Sequence, residues 1–437
     1  MSTADDSLQS PPMRRLRLHH YIIFAMLLGA GVGLPLNYLA EKGRVPVEWP
    51  RNIAFYGKSV GDLFIRLLSM TIVPLIVTSM VSGVSGTGSL KGLGRIGART
   101  LAYFMGTTVL AIILSLILFN TIRPGVGADL DALRSGAETV TPPAIDTSGG
   151  VGNAVWNLLL NIIPTNPFAV MADPTNRSIL GVIFFSLLFG IFITVVGGEA
   201  GQLLSRVFSA AFEVMMKLTM AVIWTAPVGV CGFMLYASAG RGLAVFVPLG
   251  WWVFTVFIGL FIHTVIFLPI CVWLFARRSP WEFFKACQPA ILMAFSTSSS
   301  NATLPVTMTS IEQRAGISNR ISSFVLPLGA TINMNGTALY ETAAALFIAQ
   351  AYGIHLSLID QAVVALTALL AAVGSAGIPH AGIVMMAVVF GAVGLPLDGI
   401  GLILAVDRVL DMCRTVTNVW GDMTACAVVA RYESDPI

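Results

Sequence analysis

Long apolar segments recur along the whole chain, and most exceed the roughly 20 residues that an α-helix needs to cross a bilayer. Eight of them predict transmembrane helices, and the longer ones must tilt, bend or break. Two further apolar stretches, at 283–310 and 357–393, are interrupted by polar and helix-breaking residues. The eight predicted spans lie at 19–40, 55–85, 97–122, 155–198, 204–236, 243–276, 318–350 and 396–430.

The composition agrees with a membrane location. Of the 437 residues 56% are hydrophobic and 11% are charged, and the mean hydropathy is +0.83, whereas a soluble domain carries about a quarter charged residues. The net charge of +3 is too small to indicate a nucleic-acid partner. The five cysteines show no CxxC spacing, so neither a zinc site nor a disulfide framework is predicted.

Lysine and arginine indicate the orientation, because short cytoplasmic loops are enriched in them. The tail at 1–18 is basic just before the first span, which predicts a cytoplasmic N-terminus. The loop at 125–150 carries four acidic residues against one arginine and is predicted to lie outside. The remaining basic clusters and the C-terminus lie in the cytoplasm only if these two interrupted stretches do not cross the membrane. The stretch 283–310 would then enter and leave on the cytoplasmic side, and the stretch 357–393 would enter and leave on the outer side. The pattern therefore predicts two re-entrant hairpins of opposite orientation.

The predicted tips of these hairpins read "STSSSNATLP" at 296–305 and "GSAGIPHAG" at 374–382. Such runs leave backbone groups without helical partners, which is tolerated in a membrane only inside protein or beside a wet cavity. The helix after each hairpin carries an N-x-x-G element, at Asn333–Gly336 and Asn418–Gly421. The fold class predicted is an all-α polytopic membrane protein with eight transmembrane helices, two oppositely oriented hairpins and inverted repeats.

The segment "DRVLDMCRTVTNVWGD" at 407–422 places charges inside the last apolar span. At about 100° per residue, five of its polar side chains fall within an arc of roughly 80°. A charge at the bilayer centre costs about 2.5–3.5 kcal/mol even on the lenient insertion scale, so this stripe must face protein or a cavity. The five members of the stripe are Asp407, Asp411, Arg414, Asn418 and Asp422.

The stripe has two possible roles. The first is a salt-bridge stripe that only joins helices. Against this role, three carboxylates and one in-register guanidinium leave an excess of negative charge. We favour a site for a zwitterionic acid together with cations. Arg414 suits a carboxylate and Asp411, one turn away, suits an ammonium, while Asn418 and Asp422 offer the hard oxygens that an alkali cation prefers.

Several motifs resemble those of the glutamate/aspartate transporter family, the dicarboxylate/amino acid:cation symporters. They read "IPTNPF", "STSSSNATLPVTM", "GATINMNGTALYE", "GSAGIPHAG" and "DMCRTVTNVWGD", and they occur in this order. The resemblance covers nearly the whole chain. It implies a homotrimer of bacterial type in the inner membrane of a prokaryote, with both termini cytoplasmic.

The resemblance also implies an elevator-type fold, in which a transport domain moves against a scaffold that forms the trimer. The implied scaffold comprises 19–90 and 150–240, with spans 1, 2, 4 and 5. The implied transport domain comprises 91–124 and 241–433, with spans 3, 6, 7 and 8 and both hairpins, the second of which would be the extracellular gate.

Carried over by motif, Asp411 would bind the substrate amino group and Arg414 its side-chain carboxylate. Thr337 and the Gly382 backbone would assist Arg414. The other residues implied for the substrate site are Ser300, Ile378, Ala381, Thr415 and Asn418.

Three sodium sites are implied in the same way. The first would use Gly329, Asn333, Asn418 and Asp422. The second would use Thr331, Met334 and Ser375 with the backbone near Ala372 and Val373. The third would use Thr107, Thr108, Asn333 and Asn335.

The chain departs from the family pattern at several of these positions. Asn335 replaces the usual aspartate, which keeps an oxygen ligand but removes a charge, and Phe104 replaces a frequent tyrosine. Both changes weaken the expectation of a third sodium site. Ser298 and Met412 occupy the two places where relatives carry a second arginine, and His380 replaces glycine or glutamine.

Glu341 follows Thr337 by four residues and therefore shares its face of span seven. A carboxyl isolated in a dry bundle can carry a proton at neutral pH, and acidic-substrate relatives that cotransport a proton have glutamate here. Glu341 is thus a candidate for proton coupling, with a structural hydrogen-bonding role as the alternative.

The function predicted is import of glutamate or aspartate by secondary symport with Na+, H+ or both, without an enzymatic cofactor and without enzyme activity. Within the family, a C4-dicarboxylate or a neutral amino acid is the alternative substrate. An ion channel is the alternative from another class, although no pore ring is visible in the sequence. An intramembrane hydrolase is disfavoured because no histidine or lysine lies near Ser298–Ser300.

Overall fold

The computed structural model describes residues 18–85, 90–128, 163–172, 179–242, 246–374 and 381–433, and within these ranges the regular structure is helical. We number the helices α1 to α15 in chain order, and α8 includes π-helical turns at His263–Phe267 and Val272–Ala276. The helices are α1 Leu18–Glu41, α2 Glu48–Ser85, α3 Leu90–Ile122, α4 Pro167–Ala172, α5 Ile179–Val196, α6 Gly198–Ile223, α7 Ala226–Arg241, α8 Phe246–Ala276, α9 Pro280–Thr297, α10 Ser300–Thr309, α11 Asn319–Ile332, α12 Asn335–Ala351, α13 Leu358–Gly374, α14 Ala381–Ala392 and α15 Gly399–Tyr432.

By length and apolar composition, four helices of the described ranges are able to cross a membrane: α1, α2, α3 and α8. A fifth span is formed if α6 and α7, which are bent by 43° at a short break, are taken together. The predicted span at 204–236 is therefore not one straight helix. Since α15 contains the charged stripe and α11 and α12 have only 14 and 17 residues, the last two predicted spans fall outside this apolar class.

The span predicted at 318–350 is broken between α11 and α12 and is one of the long spans that were expected to tilt, bend or break. Asn333 and Met334 leave helical geometry, with φ/ψ of −92°/79° and −108°/55°. The sequence does carry a signal for this break, because Asn333 and Asn335 interrupt the apolar pattern and Gly336 follows them. Beside the break, the N–H of Gly336 donates to the buried Asn418 Oδ1 of α15 at 2.8 Å.

Both interrupted stretches form helical hairpins whose two arms pack against each other. In the first, α9 ends at Thr297 and α10 starts at Ser300, so the turn is only Ser298 and Ser299. Ser298 takes a left-handed φ of 52°, and the Ser299 hydroxyl accepts the Ala302 N–H at 3.2 Å. In the second, α13 and α14 flank 375–380, which lies outside the described residues.

The helices pack in two groups. Helices α1 and α2 lie along α7, and α2 also packs on α5 and α6. Helices α3, α8 to α14 and α15 form the second group, with α12 at its centre against α3, α13, α14 and α15. Almost the whole of α12 is buried, so the polar residues of this helix lie in the interior.

Close helix contacts in the first group depend on glycine. A Cβ added at Gly232 of α7 would lie 2.5 Å from the Gly57 carbonyl oxygen of α2 and 3.1 Å from the Gly61 nitrogen. Since both neighbours are backbone atoms, the clash with an added Cβ can be relieved only if the two helices separate. Glycine at this position therefore sets the distance between α2 and α7.

We predict that Gly232→Val lowers stability by about 1–3 kcal/mol, the usual cost of overpacking. Gly31→Val is the matched control, since a Cβ at Gly31 of α1 would have no atom within 4 Å. Thermal unfolding of the purified protein in detergent measures both. Equal melting temperatures for the two variants would contradict the packing account.

Candidate functional site

The stripe on α15 faces the protein interior, as the sequence predicts. Its five polar members are buried, with Arg414 exposed by only 2%. Partners come from α12 and α14, which pack against α15. Because buried charges must be paired or hydrogen-bonded, the residues around the stripe determine what it can bind.

Arg414 is held from three sides. Its Nη2 donates to Asp411 Oδ1 at 2.5 Å, and its guanidinium lies 4.4 Å from the centre of the Tyr340 ring. On the third side is Gly382 of α14, where any Cβ would overlap the guanidinium. Glycine at 382 thus allows the hairpin backbone to approach the cation directly. The Arg414 Nη1 is buried and has no hydrogen-bond partner within the described part of the chain.

Asp407 lies on the far side of Arg414. Its Oδ1 is 3.7 Å from Arg414 Nη1 and accepts the Tyr340 hydroxyl at 2.7 Å. Tyr340 therefore contributes both a ring for the guanidinium and a hydroxyl for the carboxylate. Tyr340 had no predicted role, although its position between Thr337 and Glu341 in span seven indicates that it lies beside the polar site.

The stripe carries a smaller excess of negative charge than the sequence predicts. On the helical wheel Arg408 lies 100° away from Asp407, so the sequence predicts one guanidinium for three carboxylates. In the structure Arg408 Nη1 is 3.8 Å from Asp411 Oδ2. The long arginine side chain reaches around the helix, so a second cation faces the site and the negative excess is smaller than predicted.

Asn418 connects α15 to the broken span. Its Oδ1 accepts the N–H of Gly336 at 2.8 Å, in the first turn of α12, where helix amides have no intrahelical partner. Its Nδ2 lies 3.2 Å from both Thr337 Oγ1 and Met334 Sδ. The buried amide of Asn418 thus bonds a backbone N–H at the start of α12 and contacts the side chains of Met334 and Thr337.

A second polar cluster lies one turn further along α15. Asn333 Nδ2 donates to Asp422 Oδ1 at 2.9 Å, while Asn333 Oδ1 is buried without a partner among the described residues. A Cβ at Gly329 would overlap Asp422, so the α11 backbone touches this carboxylate. The cluster combines a carboxylate, an unpaired amide oxygen and nearby backbone, which are the hard oxygen donors that suit an alkali cation.

Asn335 pairs with α3. Its Oδ1 accepts the Thr108 hydroxyl at 2.6 Å, and its Nδ2 has no partner in the ranges that the structure describes. The Thr107 hydroxyl instead donates to the backbone carbonyls of Tyr103 and Phe104. The Thr108 hydroxyl also lies 2.8 Å from the Phe104 carbonyl oxygen, so both threonines of the implied third sodium site contact that carbonyl and Thr108 contacts Asn335 as well.

The other predicted residues divide between buried and outlying positions. Ser300 is buried at the start of α10, and the buried Thr415 donates to the Asp411 carbonyl at 2.9 Å. Thr331 is exposed and bonds the Leu328 carbonyl, away from the two clusters. Ala381 begins α14, and Ala372 is buried in α13 with the half-buried Val373 beside it. Ser375, Ile378 and His380 lie outside the described residues.

Glu341 is completely buried in α12. Neither of its carboxyl oxygens has a hydrogen-bond partner among the residues described. An ionised carboxylate in such surroundings is far more costly than the neutral acid. The geometry does not support the structural hydrogen-bonding role considered from the sequence.

Known proteins resemble the chain over most of its length. The model of the sodium:dicarboxylate symporter family matches residues 18–432. The proton/glutamate-aspartate symporter of Escherichia coli (strain K12) is 34% identical over 94% of the chain and 92% of its own length. The proton/glutamate-aspartate symporter of Bacillus subtilis (strain 168) is 36% identical over 86% of the chain and 88% of its own length. Human excitatory amino acid transporter 2 is 37% identical over 93% of the chain and 77% of its own length. These names are those of transporters and not of enzymes.

We predict that Tyr340→Phe destabilises the protein by about 1.5–3 kcal/mol, because it removes a hydrogen bond to a buried charge. Tyr103→Phe is the matched control, since the Tyr103 hydroxyl donates at 2.8 Å to the neutral Thr424 hydroxyl. Its cost should be about 0.5–1.5 kcal/mol. Thermal unfolding measures the loss of stability in both variants, and a larger loss for Tyr103→Phe would contradict the role of Tyr340.

Proposed function

The chain belongs to the sodium:dicarboxylate symporter family, and from this premise we propose that it is a secondary active symporter that imports glutamate or aspartate together with Na+ or H+. Two relatives named above are proton/glutamate-aspartate symporters. The family description also includes dicarboxylates, so the substrate must be argued from the site.

The observation that carries this proposal is the state of Arg414. A fully buried guanidinium with one donor nitrogen lacking a hydrogen bond, against a residue without a side chain, is a prepared site for an incoming acceptor. A carboxylate suits it best, because two parallel N–H···O bonds match the guanidinium fork. The second carboxylate of an acidic amino acid supplies this group and a neutral amino acid does not.

Asp411 supplies the other half of the recognition. Its Oδ1 accepts a hydrogen bond from Arg414. An α-amino acid brings an ammonium for Asp411 and a side-chain carboxylate for Arg414, so it replaces one buried ion pair with two. A C4-dicarboxylate has no ammonium and would weaken the compensation of Asp411, which would lose its bond to Arg414 and gain no cation in its place. Ser300, Thr415 and Asn418, with the backbone of Ile378 and Ala381, complete the proposed substrate site around the α-carboxylate.

The coupling cation is proposed to bind at Asn333 and Asp422, with the Gly329 backbone and Asn418. The unpaired Asn333 amide oxygen beside a buried carboxylate fits an alkali cation in its donor chemistry. A second site would use Thr331, Met334 and Ser375. Support for a third is weaker, because the Asn335 side-chain oxygen already accepts the Thr108 hydroxyl and Asn335 brings no charge.

Glu341 is the proposed proton carrier. Its burial without a hydrogen-bond partner favours the form that holds a proton. It lies on the same helix as Thr337 and Tyr340, which contact the stripe. A proton there would compensate for the negative charge that an acidic substrate brings into the site.

The architecture that we propose for transport has eight transmembrane helices and two re-entrant hairpins of opposite orientation. Residues 19–90 and 150–240 would form the scaffold of a homotrimer, and 91–124 and 241–433 a transport domain that moves as an elevator. Support comes from the packing of the helices in two groups that share few contacts. The protein would lie in a prokaryotic inner membrane with both termini cytoplasmic.

Reconstitution into liposomes tests the function. Purified protein should accumulate labelled aspartate or glutamate above equilibrium when an inward gradient of Na+ or H+ is imposed, each gradient being applied alone. Unlabelled glutamate should compete, whereas succinate and serine should not. Absence of uptake under both gradients would refute acidic amino acid symport, and Arg414→Cys, which removes the guanidinium, should abolish uptake of acidic substrates.

We predict that Glu341→Gln removes coupling to the proton gradient while substrate binding is retained, because glutamine fills the same volume but cannot release a proton. Substrate exchange across liposomes without a net gradient should continue, and uptake driven by H+ alone should fall at least about tenfold. Unchanged proton-driven uptake in this variant would exclude Glu341 as the carrier.

A further inference from the structure

Asp411 lies between two arginines. Its Oδ1 accepts from Arg414 Nη2 at 2.5 Å, and its Oδ2 is 3.8 Å from Arg408 Nη1. The two guanidinia differ in their surroundings, since the Arg408 side chain retains 17% exposure and that of Arg414 only 2%. Arg408 therefore reaches the site from its rim, while Arg414 forms part of its interior.

We propose that Arg408 is a positioning residue that sets the charge of the substrate site in favour of acidic amino acids. The inference deepens the proposed function and rests on it. Asp407, Asp411, Arg414 and Arg408 carry two negative and two positive charges, so the group is neutral overall. Without Arg408 the same group would carry one net negative charge.

That difference matters because of the charge of the substrate. Glutamate and aspartate each bring a net charge of −1, which a neutral site accepts more readily than a negative one. At distances of several ångströms and an effective dielectric constant near 20, one unit charge changes affinity by about tenfold or more. A neutral amino acid brings no net charge and depends little on this balance.

The position of Arg408 also allows it to act while substrate is bound. When a substrate carboxylate binds the Arg414 guanidinium in place of Asp411, Asp411 loses its closest cation. Arg408 remains beside the second oxygen of Asp411 and keeps this carboxylate in place for the ammonium. Arg408 faces the Oδ2 of Asp411, whereas the three atoms nearest to a Cβ at Gly382, where the carboxylate of the substrate would lie, all belong to Arg414.

Binding measurements on the full-length protein test this role. The Kd for L-aspartate and the inhibition constant for L-asparagine, which has nearly the same shape without the second charge, are compared in wild type, Arg408→Gln and Arg408→Lys. Arg431→Gln is the matched control, as an exposed arginine in the last turn of the same helix.

We expect Arg408→Gln to raise the Kd for aspartate about tenfold or more and to change the constant for asparagine less than about twofold. Arg408→Lys should restore most of the aspartate affinity, and Arg431→Gln should alter neither constant. Arg408→Met, similar in length and uncharged, replaces the glutamine variant if that variant does not fold.

Unchanged or tighter aspartate binding in Arg408→Gln would overturn the inference, and so would equal losses for aspartate and asparagine. If wild type itself binds no acidic amino acid, the proposed function fails and this inference fails with it. If wild type binds aspartate and the Arg408 variants do so equally well, only the role of Arg408 is refuted.

Discussion

The burial of one guanidinium imposes the arrangement around it. Arg414 lies inside an otherwise apolar helical bundle, where an unpaired charge costs several kcal/mol. Asp411, Asp407 and the Tyr340 ring compensate this cost from different directions. Two of these groups lie on α15 itself, whereas Tyr340 requires α12 to lie close to α15. Glycine at 336 and 382 lets the backbones of α12 and α14 approach Arg414.

The same requirement explains the break between α11 and α12. A continuous helix would present side chains to α15 but no free backbone groups. The break turns the N–H of Gly336 toward Asn418 and places Asn333 against Asp422. A helix interrupted in mid-membrane is tolerated only where such partners exist. Asn418 lies one turn from Arg414 and one turn from Asp422, so it would connect the proposed substrate cluster with the proposed cation cluster.

Hydrophobic period and buried charge are local signals, so the sequence was sufficient to predict a helical chain, the interruption of 283–310 and 357–393, and a stripe that faces inward. Other features needed three dimensions. The exact place of the break at Asn333 and Met334 is only weakly signalled, by two asparagines and Gly336, and the role of Tyr340 depends on a helix distant in the sequence. Arg408 was overlooked because a helical wheel records where a side chain starts and not how far it reaches. The contact between Gly382 and Arg414 depends on how a hairpin packs, which no spacing reveals.

The central claim is that an acidic amino acid replaces the Arg414–Asp411 ion pair with two pairs of its own. A cryo-electron microscopy structure of the protein with bound L-aspartate tests this most directly. The account predicts the side-chain carboxylate on Arg414 beside Gly382, the ammonium on Asp411, and separation of these two residues. Substrate density at another place, or an Arg414–Asp411 pair that stays intact beside bound aspartate, would contradict it.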